Sequence, residues 1–104
     1  MTGIRLRGLR LPKAGVEFTR WLEDQIDIRH RVDVHITSRL WGYFDAPGRY
    51  TGFDPYAVVS MDRDPLLTIA HEMVHYEQWR DKREGTERGV EQRAEALVRR
   101  WRRG

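Results

Sequence analysis

His71, Glu72 and His75 are the residues of this chain whose types and spacing most directly suggest chemistry. On a helix, at about 100° per residue, His75 falls about 40° from His71 and one turn further along, so both imidazoles project the same way. Glu72 falls about 100° from His71 and about 60° from His75, beside the pair rather than behind it. Two neutral imidazoles so placed bind a divalent ion, and the adjacent carboxylate reaches a water on that ion without taking a coordination position. Zinc lowers the pKa of that water, and Glu72 accepts its proton as the water attacks a carbonyl. The bland alternative is a helix with two surface histidines. Ala70 and Val74, which belong to an apolar stripe, flank the pair and speak against it.

Catalytic zinc takes three protein ligands plus water. The chain has no cysteine, so disulfides and thiolate clusters are ruled out and the third ligand is a carboxylate or another histidine. Asp81 lies six residues past His75, but Gln78, Trp79 and Arg80 continue the helix and carry Asp81 about 15 Å along the axis from His71, out of reach. The last helix offers Glu91 and Glu95. With Val90 set at zero, the apolar stripe centres near 35°, Glu91 sits at about 100° and Glu95 at about 140°. Glu91 therefore borders the buried face and is the expected ligand, ahead of Glu95, with Glu87 and Asp81 behind both. Glu95 then suits a supporting role, accepting an N–H from a ligand histidine and fixing its tautomer. Both glutamates also read as ordinary surface acids paired with Arg88 or Arg99 at i±3 or i±4.

Several elements must position these groups. Ile4 to Arg7 alternate like a short half-buried strand, and Val32 to Thr37 do so cleanly. From Gly15 to about Arg29, Phe18, Trp21, Leu22, Gln25 and Ile26 recur at helical spacing. Trp41 to Tyr50 holds Gly42, Pro47 and Gly48, the residues of a hairpin or wide loop. Ala57 to Met61 reads as a second clear strand. Asp64-Pro65 reads as an N-cap with proline at the first helical position, opening a helix to about Arg83. Gly85 and Gly89 mark a break, after which Val90, Ala94, Leu97, Val98 and Trp101 form the stripe of a last helix. The expected fold is one α+β domain over residues 1–104, its helices packed on one face of a small, mainly antiparallel sheet.

His71-Glu72, His75 and the later run Glu91-Gln92-Arg93-Ala94-Glu95 together resemble the gluzincins, and the short length resembles the minigluzincins, single-domain zinc metallopeptidases. The similarity covers about residues 57–98. The glycine and third histidine of metzincins are absent at Gln78 and Asp81. The resemblance implies a zincin-like fold holding one zinc ion per chain. A glutamate on the later helix (Glu91) completes the site, and an acid four positions on (Glu95) buttresses it. It implies hydrolysis of a peptide or protein substrate lying extended along an edge strand, which on this analogy is Ala57 to Met61, with backbone pairing fixing its direction. Zincins also use a histidine or tyrosine to stabilise the oxyanion. Tyr43, Tyr50, Tyr56 and His35 are the candidates, and nothing in the sequence chooses among them.

Charge gives a second line of reading. The net charge is +3, yet residues 1–87 hold 13 Lys+Arg against 14 Asp+Glu, so the whole excess lies in residues 88–104, with six Arg against two Glu. A solvated helix face explains such a run, and so does an anion-binding strip. The rival to an active peptidase is a catalytically weak or latent zincin-fold binding module, in weak contact with nucleic acid through this last helix. A third reading is an enzyme whose own Met1–Gly15 or Arg99–Gly104 segment blocks the cleft. No apolar run approaches the ~20 residues of a membrane span, and the N-terminus lacks a signal-peptide core. A cytoplasmic protein with no membrane contact is expected.

Overall fold

The protein is described by a computed structural model over residues 2–38, 43–45, 55–60, 64–83 and 86–104. Alternation in the strand β2 (Arg31–Thr37) decides the layering: Val32, Val34 and Ile36 are buried, while Arg31 and His35 on the other face are exposed. One face of the sheet therefore meets the core and the other meets water. Before β2 come β1 (Gly3–Gly8) and the helix α1 (Lys13–Ile26); after it come β3 (Tyr43–Asp45) and β4 (Tyr56–Ser60). The helices α2 (Pro65–Arg80) and α3 (Glu87–Arg103) complete the chain.

The strand order is β1-β2-β4-β3. β1 with β2 and β2 with β4 are parallel, and β3 alone runs antiparallel, against β4. The expected mainly antiparallel sheet is thus corrected. Period-2 alternation reports that one face is buried but carries no information on strand direction. Direction follows from the connections, and a crossover helix such as α1 returns the chain to the starting end, which forces β1 and β2 parallel. The expected edge strand is corrected too: β4 lies between β2 and β3, and the edges are β1 and β3.

α1 and α2 pack against the sheet, and α3 packs on α2 and α1. α1 contributes Phe18, Leu22 and Ile26, all fully buried. It ends where Asp27 turns left-handed at φ 58°, its N–H bonded to the Glu23 carbonyl. α2 opens as the sequence suggests, with Pro65 in its first turn and the Asp64 carboxylate accepting the Leu66 N–H at 3.1 Å. It stops at Arg80 rather than Arg83. α3 starts three residues earlier than the glycine spacing suggests. Thr86 caps it, its hydroxyl accepting the Gly89 N–H at 3.0 Å, so Gly89 belongs to the first turn instead of breaking the chain. Trp101 near the far end of α3 packs edge-on against Phe18, ring centres 5.4 Å apart. Among the described residues no helix is long and apolar enough to cross a membrane.

Candidate metal centre

α2 is buried along much of its surface, with Ile69, Ala70, Met73, Val74 and Tyr76 all in the core. That packing fixes the rotation of the helix and aims the remaining strip, His71 and His75, toward α3. The two rings stand 5.0 Å apart, inclined at 69°, and each side chain is 25% exposed. Side-chain ligand atoms of His71, Glu72 and His75 lie within 4.8 Å of one another.

The acid that meets the imidazoles is Glu87, on the first turn of α3. Its Oε2 is 3.2 Å from Nε2 of His71 and its Oε1 is 3.0 Å from Nε2 of His75. A nitrogen lone pair turned toward a carboxylate oxygen at this range is repelled, so the arrangement is favourable only with a hydrogen or an ion between them. That is either the hydrogen of an Nε2–H group or a metal ion. Ligand atoms around tetrahedral zinc, at bond lengths of about 2.0–2.2 Å, lie roughly 3.4 Å from one another. Here each imidazole nitrogen meets a different oxygen of the exposed Glu87 carboxylate, and two imidazole nitrogens with one carboxylate form a donor set that suits zinc. His71, His75 and Glu87 therefore fit such an ion.

Glu72 is a different kind of carboxyl. It is 4% exposed, and burial, followed by the nearby charge of Glu87, pushes its pKa up from 4.5 to about 7. A carboxyl poised near neutrality beside a donor cluster can take up and release a proton under ordinary conditions.

The structure does not bring the other expected acids to the imidazoles. Glu91 and Glu95 are exposed, and among the described residues neither forms an ion pair. Asp81 follows the end of α2, where Arg80 and Arg83 hold its carboxylate and the Arg80 hydrogen bond lowers its pKa. In the sequence Gly89 reads as a break, which leaves Glu87 outside the last helix and behind Glu91 and Glu95. Thr86, a good N-cap residue immediately before an acid, is the signal that places Glu87 on the helix.

Two ion pairs hold α3 in this position. Arg93 grips the buried Glu77 of α2 in a bidentate pair, and Arg102 reaches Asp64 at 3.0 Å. Val90, Ala94, Leu97 and Val98 fill the space between. Of the two terminal segments, residues 3–8 form β1 and residues 99–103 are the last turns of α3. Among the oxyanion candidates, His35 is exposed on β2. Tyr50 lies outside the described residues, and of Tyr43 and Tyr56 only the strand positions are described. In comparisons with family models, with curated proteins and with solved structures, nothing matches the chain.

Proposed function

We propose that this chain is a zinc-dependent metallopeptidase of gluzincin type and zincin-like architecture, with one zinc ion held by His71, His75 and Glu87. The reading rests above all on two imidazole Nε2 atoms meeting one carboxylate at 3.0 and 3.2 Å, with the buried Glu72 alongside. A bound zinc ion supplies a Lewis acid and lowers the pKa of the water it holds. The protein's own groups do the rest. His71 and His75 give neutral nitrogen donors from a helix that burial keeps from rotating. Glu87 offsets part of the ionic charge. Glu72 acts as general base, taking the proton of the attacking water and passing it to the departing amine, from a buried position beside the two imidazoles.

The substrate is a peptide in extended form. β3 borders β4 and has no second partner strand among the described residues, so its outer N–H and C=O groups can pair with a peptide backbone without selecting side chains. This replaces Ala57 to Met61 as the docking strand. The test is cleavage of an unfolded protein such as reduced casein by the zinc-loaded chain, beside the Glu72→Gln variant. Expected are full zinc content in both and at least a ~100-fold loss of cleavage in the variant. Equal cleavage by the two, or none by the loaded wild type, would refute the peptidase reading.

A further inference from the structure

The arginines of α3 divide into two groups. Arg93 and Arg102 turn toward α2 and pair with Glu77 and Asp64. Arg88, Arg99, Arg100 and Arg103 are exposed and form no ion pair among the described residues. With Val90 again at zero, Arg88, Arg99 and Arg103 fall at about 160°, 180° and 220°, opposite the buried stripe, and Arg100 at about 280° flanks them. A merely solvated helix pairs such charges at i±3 and i±4. Glu91 and Glu95 stand at those spacings from Arg88 and Arg99 and remain unpaired. The helix dipole favours Arg100 and Arg103 in the last turn, but it disfavours a cation at Arg88 in the first. Local helix stability therefore does not account for the ridge.

We propose that this outer ridge of α3 binds duplex nucleic acid through its backbone phosphates. From Arg88 to Arg103 the ridge is about 22 Å long, matching about six base pairs at 3.4 Å each. Its chemistry separates this partner from others. A membrane-surface helix needs large apolar groups on its free face. The large apolar residues of α3 face inward, Val90, Leu97 and Val98 buried and Trp101 packed against Phe18, and only the small Ala96 lies outside the buried stripe. Single strands are held by stacking bases on aromatic rings, and the ridge has none. Guanidinium groups with no aromatic or large apolar neighbour suit a regular phosphate lattice.

The test is fluorescence anisotropy of a labelled 30-base-pair mixed-sequence duplex with the full chain, titrated at several salt concentrations. Four phosphate contacts give a log–log salt slope of about −3 to −4, so affinity falls about 100-fold between 50 and 200 mM. The variant with Arg88, Arg99, Arg100 and Arg103 all changed to Gln is expected to bind at least ~10-fold more weakly at 50 mM, with a flattened slope. Arg99→Glu alone gives a second, milder reading of the same loss. Absence of duplex binding at 50 mM, binding that the fourfold variant retains, or binding to vesicles containing phosphatidylserine in place of duplex overturns the proposal.

Discussion

Arg93 holds Glu77 with two parallel bonds, Nε to Oε1 at 2.7 Å and Nη2 to Oε2 at 2.8 Å. Glu77 lies two residues past His75, and Arg93 less than two turns past Glu87, so this one pair ties the element carrying the imidazoles to the element carrying the acid. Glu77 is 7% exposed, and without Arg93 the one ion pair left to its buried charge among the described residues is with Arg83, at 3.7 Å. Arg93→Ala is expected to cost about 2 kcal/mol of stability in urea unfolding, less than a fully buried pair because Arg93 is itself partly solvated. Zinc affinity should fall in the same variant, while Arg99→Ala should leave both within about 0.5 kcal/mol.

Glu72 makes the metal-free protein sensitive to pH. Folded, its carboxyl keeps its proton up to about pH 7; unfolded, it releases it near 4.5. Between those values the unfolded chain has lost a proton that the folded chain retains, so rising pH favours unfolding. The contribution is fully present below pH 4.5 and is lost as pH passes through 7, and a shift of this size corresponds to about 3 kcal/mol. Urea unfolding of the chelator-treated protein at pH 5 and pH 8 measures it. Glu72→Gln should remove this part of the difference between the two pH values, and an unchanged difference would show that the carboxyl is not held neutral.

Tyr76, next to His75 and fully buried, bonds the N–H of Arg29 at 3.0 Å and Nδ1 of His30 at 2.7 Å through its hydroxyl. It thereby fastens the middle of α2 to the turn before β2. Tyr76→Phe leaves the Arg29 N–H without that acceptor and is expected to cost about 1–2 kcal/mol by thermal or urea unfolding. A neutral outcome would mean that water replaces the hydroxyl at no cost.

Much of this was legible from residue types. Asp64-Pro65 announced the start of α2, helical spacing gave the buried stripes of α1 and α3, and alternation gave Val32, Val34 and Ile36 as one strand face. Period-2 patterning could not give the direction of the strands or put β4 inside the sheet, because both depend on the connections between strands. The placing of Glu87 failed for a narrower reason. On the same helical count Glu87 falls at about 60°, nearer the stripe centre than Glu91, but only if the helix already includes it. Reading Gly89 as a break left Glu87 in a turn. The Thr86 hydroxyl on the Gly89 N–H shows why a glycine three residues past an N-cap need not end anything.

One divalent ion held between His71, His75 and Glu87 is what the proposed function requires. Zinc content of the purified protein after removal of loosely bound metal, compared among wild type, Glu87→Gln and Glu91→Gln, tests it most directly. The expected result is one zinc per chain in wild type and in Glu91→Gln, with most of it lost from Glu87→Gln. Zinc lost from Glu91→Gln but kept by Glu87→Gln, or no zinc in the wild type after loading, would contradict it.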